Sequence, residues 1–349
     1  MSEHSCVKDA QSEREPSPRT CTPDPNPTEF PFMGVAMSFK GKDIISINDL
    51  SRAEIDEILS NVDRVQSHPA KMDLCRNKVS AMMFFEPSTR TRTSFEVAMR
   101  NLGGEVGGFY DATITSTMKE ESLWDTVKMH DGYGFDVIVI RHPLKGAARL
   151  AAEAAVIPVI NAGDGPNQHP TQTLLDLYSI QKTQGRIDGL TIAMVGDLAN
   201  GRTVHSLTEA LLKYDNCKII FISPRDLAMP RFLIDKCAKA EAERGVTFEE
   251  GSAIEDYIAN VDILYMTRIQ KERFDDRKAL AEKFRSIYRL EASMLAGARP
   301  NMKVMHPLPR VTEIAPDVDS SSHAYYFEQA RNGLFVRETL LALILGAVQ

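Results

Sequence analysis

Short apolar runs alternate with longer stretches of helical period along most of the chain. Runs of buried-strand type lie at residues 79–85, 106–110, 136–140 and 156–160, then at 190–195, 218–222, near 247, at 262–265 and at 303–305. Between them the apolar residues recur at three- and four-residue spacing, which predicts helices. Ser51 stands three residues ahead of Glu54 as a capping box, and Ile55, Ile58, Leu59, Val62 and Val65 follow on one helical face. Further helices are expected over 88–102 (ended by Gly103-Gly104), 123–133, 146–153, 170–181, 204–212, 231–244, 253–259, 276–284 and 324–345. Fully apolar strands separated by helices predict parallel sheets covered on both faces. The rhythm runs twice, so the expected fold class is α/β, with two domains that each carry a parallel β-sheet flanked by helices.

The polar clusters fall where these strands should end. Ser88 to Arg92 follow Phe85, Arg141-His142 follow Ile140, and His169 follows the run ending at Ile160. In the second half Gly196 to Arg202 follow Val195, Thr267 to Gln270 follow Met266, and His306 to Pro309 follow Met305. Ligands of open α/β sheets gather outside the carboxyl ends of the strands. The active site is therefore expected in an interdomain cleft at those ends, with closure as a step. The densest cluster is Ser88-Thr89-Arg90-Thr91-Arg92-Thr93-Ser94 at the start of a helix. Unpaired amides, the positive end of the helix, short hydroxyl donors and guanidinium forks together favour a phosphate there. An ordinary cap followed by a solvated basic turn would suit a lone Ser-Thr pair better than this density.

Composition narrows the classes. With 349 residues, 43% hydrophobic and 26% charged, the chain has the balance of a soluble globular protein long enough for two cores. A net charge of −7 without a dense Lys/Arg block argues against a general nucleic-acid binder, so the positive charge must be concentrated locally. Cys6, Cys21, Cys75, Cys217 and Cys237 are spaced for neither a disulfide framework nor a metal knuckle, and a reducing, cytoplasmic setting is expected. The histidines at 130, 142, 169, 205, 306 and 323 lack metal-ligand spacing, and Gly196 sits in no dinucleotide fingerprint. His205-Ser206 has no acidic orienter and makes a poor hydrolase triad. No metal or cofactor is expected. The apolar run 340–345 is far shorter than a membrane span. Residues 1–33 are rich in Ser, Pro, Glu and Thr and are expected to be a disordered extension. Glu3, Asp9, Glu13 and Glu15 weigh against an organellar presequence, and no early stretch has the apolar core of a secretory signal.

Seven motifs occur in order: Phe85-Glu86-Pro87-Ser88-Thr89-Arg90-Thr91-Arg92-Thr93-Ser94-Phe95-Glu96, Arg141-His142-Pro143, Gly165-Pro166-Asn167-Gln168-His169-Pro170-Thr171-Gln172, Val195-Gly196-Asp197-Leu198, Gly201-Arg202-Thr203-Val204-His205-Ser206, Thr267-Arg268-Ile269-Gln270-Lys271-Glu272-Arg273 and His306-Pro307-Leu308-Pro309-Arg310. In this combination the chain, from about Ile44 onward, resembles the aspartate carbamoyltransferase family of pyrimidine biosynthesis. The first and third motifs are shared with ornithine carbamoyltransferases and mark the carbamoyl phosphate half. The ornithine enzymes usually carry a cysteine where this chain has Pro307, and they lack the Thr267-Arg268-Ile269-Gln270 pattern. Two arginines also suit a dicarboxylate, whereas a diamino acid would want an acidic partner.

The resemblance implies a carbamoyl phosphate-binding domain over 34–184, an aspartate-binding domain over 185–323, and a helix over 324–349 returning to the first domain. It implies that Ser88, Thr89, Arg90 and Thr91 hold the phosphate, that Arg141 bridges phosphate and carbonyl oxygen, and that Thr91, Arg141 and His169 stabilise the oxyanion. Gln172 would bind the carbamoyl amide, while Arg202 and Arg268, assisted by Gln270, would grip the aspartate carboxylates. Backbone groups of Leu308 and Pro309 would shape the pocket and receive amino protons. His169 precedes Pro170 at a helix start, whose positive end should favour a neutral imidazole. Ser116 and Lys119, on a loop that reaches a neighbouring subunit in the family, imply a homotrimer with shared sites. Many relatives have Lys-Lys-Gly-Glu where this chain has Met118-Lys119-Glu120-Glu121. A regulatory chain or larger assembly is left open. The competing readings are a carbamoyltransferase for ornithine or another amine, and a non-catalytic anion-binding assembly protein.

Overall fold

The computed structural model describes residues 38–111, 120–269 and 287–348. The extension expected over 1–33, the helix expected over 276–284, and the candidate residues Ser116, Lys119 and Gln270 lie outside the described residues.

Strand β1 (Val79–Phe84) pairs in parallel with β2 (Glu105–Phe109) on one side and β3 (Val137–His142) on the other, and β3 pairs with β4 (Val159–Asp164). A second parallel sheet contains β5 (Thr191–Val195), β6 (Lys218–Ile222), β7 (Thr247–Gly251), β8 (Ile263–Met266) and β9 (Lys303–Met305). The strand orders are β2-β1-β3-β4 and β7-β6-β5-β8-β9. In each sheet the chain first steps outward and then returns to the far side of the strand it began with. The connections therefore reverse between β1 and β3 and between β5 and β8, and such reversals open a crevice at the carboxyl ends of the strands.

Two-sided burial explains the near-continuous apolar strands. Ala81, Met83, Ile138 and Ile140 pack on one face with Ala148 and Ala151, whereas Met82, Phe84 and Val139 face Phe95 and Met99 on the other. The helices concerned are α1 (Arg52–Gln66), α2 (Thr89–Asn101), α3 (Leu123–Gly132) and α4 (Ala147–Ala154), followed by α5 (Pro170–Gln184), α6 (Arg202–Leu211), α7 (Arg231–Arg244) and α8 (Tyr326–Ile344). Burying each large aliphatic or aromatic side chain contributes roughly 1.5–3 kcal/mol. One continuous cluster joins Met82 and Phe84 of the first sheet to Ile192, Met194 and Phe221 of the second. The Ser51–Glu54 capping box forms with both of its hydrogen bonds.

Helix α8 packs against α1, α2 and α5. Its start, Tyr326, belongs to an apolar cluster of the second sheet, while Val336 and Leu340 to Ile344 belong to the shared core. Within this apolar stretch Glu338 is fully buried. Its carboxylate accepts hydrogen bonds from Lys71 Nζ and Asn101 Nδ2, both at 2.7 Å, and from Gln66.

Two elements differ from the sequence-based expectation. Residues 253–259 do not form an α-helix; the chain makes turns and a 3-10 turn at Ile258–Asn260. Seven residues are too few to offset helix nucleation without strong tertiary support, and here Ile254 and Ile258 are buried while the Tyr257 hydroxyl donates to Glu249 at 3.0 Å. The run expected at 156–160 begins as a strand only at Val159. Val156 is 86% exposed, its amide and that of Ile157 donate to Asp131, and Pro158 has no donor to offer.

Glu338→Ala is predicted to destabilise the protein by about 3 kcal/mol, because Lys71 would be left without its buried partner. Denaturant unfolding of both proteins checks this, and a change below about 0.5 kcal/mol would show that the contact contributes little.

Candidate active site

The loops after β1, β3, β4, β5, β8 and β9 converge on one cleft of about 1070 Å³. On the first sheet, β1 hands over to α2 at Ser88, whose side chain makes no capping hydrogen bond. The first turn thus presents the amides of Thr89, Arg90 and Thr91, which have no intrahelical partners. Ser88, Thr89, Arg90 and Thr91 all line the cleft. Arg92 does not join them. It pairs with Glu96 at 3.2 Å and stacks over Tyr110 at 4.8 Å, because one further residue turns the side chain to the outer face of the helix.

Arg141, at the end of β3, is clamped from behind. Its Nε donates to Glu86 Oε1 at 2.8 Å, and one terminal nitrogen donates to the Ala162 carbonyl at 3.2 Å. Burial holds its guanidinium below the usual arginine range, with Glu86 acting in the opposite sense. Arg90 is also held low, first by desolvation in the cleft and then by the charge of Arg141. Gly163 adopts φ +116°, and a Cβ there would stand 3.0 Å from an Arg141 nitrogen and 3.1 Å from an Arg202 nitrogen. The glycine thus makes room for two guanidinium groups from different sheets. Arg202, the first residue of α6, donates to the Gly165 carbonyl.

His169 lies just before α5 and is 5% exposed. Its imidazole is held well below its ordinary value, first by burial and then by the charges of Arg202, Arg141 and Arg337. Burial and three arginines thus favour the neutral ring that the sequence predicts from its place before the helix. His205 has its Nε2 against the Leu198 carbonyl at 2.7 Å, a structural contact. His142 packs against Phe85 with its ring tilted by 56°, and its Nδ1 accepts the Leu144 amide at 3.0 Å.

On the second sheet Arg268 follows β8, and Arg202, Arg268, Leu308 and Pro309 all line the cleft. The 306–310 turn is held by a buried pair: Leu308 N–H donates to His306 Nδ1 at 2.7 Å, so the His306 proton sits on Nε2 and is donated to Glu313 at 2.8 Å. Leu308 is thereby kept at φ +55°, in the left-handed region that a leucine otherwise avoids.

At the back of the cleft lies a polar cluster centred on Asp176, a residue to which the sequence motifs assign no role. Gln172 lines the cleft and donates to the fully buried Asp176, as do Gln329 and Tyr265. Burial pushes the Asp176 carboxyl up to about 7, against those three donors and the charge of Arg337. Arg337 of α8 also lines the cleft, lies 5.2 Å over the Phe95 ring, and is lowered to about 10 by burial. The sequence offered one signal for it: Arg337 and Glu338 are adjacent charges inside an apolar helix. Among the described residues, no group of three or more His, Cys, Asp or Glu side chains could hold a metal ion, and no helix is long and apolar enough to cross a membrane.

Two doubly wound parallel sheets, with guanidinium groups from both sets of strand ends facing one cleft, define an α/β protein built to hold two anionic groups side by side. Residues 42–182 match the carbamoyl-P binding domain of aspartate/ornithine carbamoyltransferases, and residues 188–344 match the Asp/Orn binding domain. The chain belongs to the aspartate/ornithine carbamoyltransferase family. It is 52% identical over 305 residues to an aspartate carbamoyltransferase catalytic subunit of Chromobacterium violaceum, covering 87% of this chain and 98% of that one. It is also 52% identical to the Thermococcus kodakarensis catalytic subunit, with coverage of 89% and 99%. Aspartate transcarbamoylase of Trypanosoma cruzi in complex with carbamoyl phosphate and aspartate superposes with a TM-score of 0.82 at 37% identity, covering 88% of this chain and 98% of that one. The catalytic subunit of M. jannaschii aspartate transcarbamoylase gives a TM-score of 0.81 at 45% identity, with coverage of 87% and 98%.

A histidine whose folded value lies below its unfolded value of about 6.5 takes up a proton on unfolding. Its contribution to stability is complete above that pH and is lost as pH falls beneath it. His169→Asn is therefore predicted to flatten the pH dependence of unfolding free energy between roughly pH 6.5 and 5, by up to about 1.4 kcal/mol per pH unit. Urea titrations across that range check it; an unchanged slope would mean that the ring is already protonated in the folded chain.

Proposed function

We propose that this chain transfers the carbamoyl group of carbamoyl phosphate to the α-amino group of L-aspartate, giving N-carbamoyl-L-aspartate and phosphate for pyrimidine synthesis. The carrying observation is the charge of the cleft. Among the described lining residues, Arg90, Arg141, Arg202, Arg268 and Arg337 supply the cations, and the one carboxylate, Glu86, is engaged by Arg141. A dicarboxylate finds two arginines on the second-sheet side, whereas a diamino acid such as ornithine finds no acidic partner among the described lining residues.

In this reading the α2 amides, Ser88, Thr89 and Arg90 hold the phosphate. Thr91, Arg141 and His169 donate to the carbamoyl oxygen as it gains charge in the tetrahedral intermediate. Gln172 takes the carbamoyl amide. Arg202 and Arg268, with Gln270, orient the aspartate carboxylates, and the backbone carbonyls of Leu308 and Pro309 accept hydrogen bonds from the amino N–H groups. The neutral amine attacks the carbamoyl carbon, the C–O bond to phosphate breaks, and the departing phosphate takes the amine proton. Orientation and oxyanion stabilisation supply the catalysis. Residues 34–184 form the carbamoyl phosphate half and 185–323 the aspartate half, with 324–349 returning to the first; the packing of α8 on α1, α2 and α5 supports that division.

The reading is tested by carbamoylation assays with L-aspartate and L-ornithine side by side. Aspartate alone should react, and reaction with ornithine instead, or with neither, would sink it. Arg268→Ala should raise the KM for aspartate about 100-fold, as expected for the loss of a charged bidentate contact, while leaving carbamoyl phosphate binding nearly unchanged. Equal losses on both substrates would contradict the division of labour.

By the family resemblance Ser116 and Lys119 would complete a neighbour's site, and the expected assembly is a homotrimer. Sedimentation should give three chains per particle. Mixing inactive Arg90→Ala chains with inactive Lys119→Ala chains should restore part of the activity, because some sites then receive both intact residues. A fully active monomer would rule out shared sites.

A further inference from the structure

The site needs acceptors for the two N–H bonds of a carbamoyl group, and the structure ties the candidate acceptors to one buried atom. Gln172 Nε2 donates to Asp176 Oδ1 at 2.9 Å, and Gln329 Nε2 donates to the same oxygen at 2.6 Å. The Tyr265 hydroxyl donates to Oδ2 at 2.8 Å. Gln329 Oε1 in turn accepts the His306 N–H at 2.8 Å. His306 then anchors the turn that carries Leu308 and Pro309.

The donor and acceptor inventory fixes these amides. An ionised carboxylate only accepts, so Gln172 must turn its NH2 group toward Asp176 and leave its carbonyl oxygen for the cleft it lines. The same logic orients Gln329, whose oxygen meets a backbone N–H and whose nitrogen meets the carboxylate. If Asp176 gains a proton, that proton can sit on Oδ2 and face the Tyr265 oxygen. Oδ1 still accepts from both glutamines.

Resting on the carbamoyl phosphate reading above, we infer that Asp176 is a positioning residue for ligand selection: it sets the Gln172 carbonyl toward the cleft and, through Gln329, seats the 306–309 turn, so that the site prefers an amide to an isosteric methyl ketone. Asp176 acts through these neighbours and is not itself among the residues lining the cleft. Without it the Gln172 amide can rotate and present N–H to N–H. A methyl group in the ligand would lose nothing by that change, because it has no hydrogen to donate.

The test uses the full chain and three probes that do not react: phosphonoacetamide, acetonylphosphonate (the same ligand with methyl in place of NH2) and inorganic phosphate, each titrated calorimetrically. The wild-type chain should prefer the amide. Asp176→Leu should reduce that preference about tenfold, the scale of one buried hydrogen bond, with phosphate affinity changed less than about twofold. Gln329→Leu should produce a smaller loss in the same direction. Asp176→Asn, which keeps an oxygen at the Oδ1 position, should retain most of the preference.

An unchanged amide preference in a folded leucine variant would overturn the inference. So would a parallel loss of affinity for all three probes, since a merely structural role weakens them together. Failure of both leucine variants to fold while Asp176→Asn folds normally would make the contact a folding requirement and overturn its selective role. A wild-type chain with no amide preference would instead bring down the carbamoyl reading, and this inference with it.

Discussion

Everything in this structure turns on holding several guanidinium groups near one another before any anion arrives. Like charges at close range disfavour a compact cleft, and the chain meets this cost by anchoring three of these groups from behind. Arg141 rests on Glu86 and the Ala162 carbonyl, Arg202 on the Gly165 carbonyl, and Arg337 over the Phe95 ring. These anchors occupy part of each donor set and leave the groups oriented. An anion bound among them would lower the repulsion between these groups. A chain of net charge −7 thereby holds a strongly cationic pocket without a basic surface.

The two sheets divide the task by geometry. The first places a helix start and Arg141 on either side of its β1/β3 reversal, and the second places Arg202 and Arg268 around its β5/β8 reversal. Gly163 lets the Arg141 and Arg202 nitrogens share the space between them. His169 lies among them, its imidazole favoured neutral first by burial and then by the surrounding arginines. A cationic imidazole there would add to the repulsion, whereas a neutral ring can still direct a hydrogen bond at developing charge. Helix α8 links the halves, starting in the second sheet's apolar cluster and ending in the core beside α1, α2 and α5.

Buried polar groups do the remaining alignment. Asp176, Glu338 and Glu313 are each nearly or fully inaccessible, yet each accepts several donors, from elements far apart in the chain at Asp176 and Glu338 and from within its own turn at Glu313. An unpaired carboxylate in those places would be costly, so the network favours a single arrangement of its donors. That rigidity is carried to the cleft through Gln172 and through the turn at His306 to Pro309.

By itself the sequence determined the strands, nearly all of the described helices, the parallel α/β class and the clusters at the strand ends, because periodicity, capping and turn chemistry act over a few residues. Ser88 to Thr91, Arg141, His169, Arg202 and Arg268 were legible for that reason, and the structure brings them to one cleft. Only the tertiary structure decided that Arg92 turns away, that residues 253–259 stay out of an α-helix, that burial leads the shift of His169, that Gln329 and Arg337 line the cleft, and that Asp176 stands behind it. Those outcomes depend on partners as distant as 153 residues in the Asp176–Gln329 pair. No local pattern encodes such a meeting, since desolvation and charge coupling exist only once the chain has closed around them.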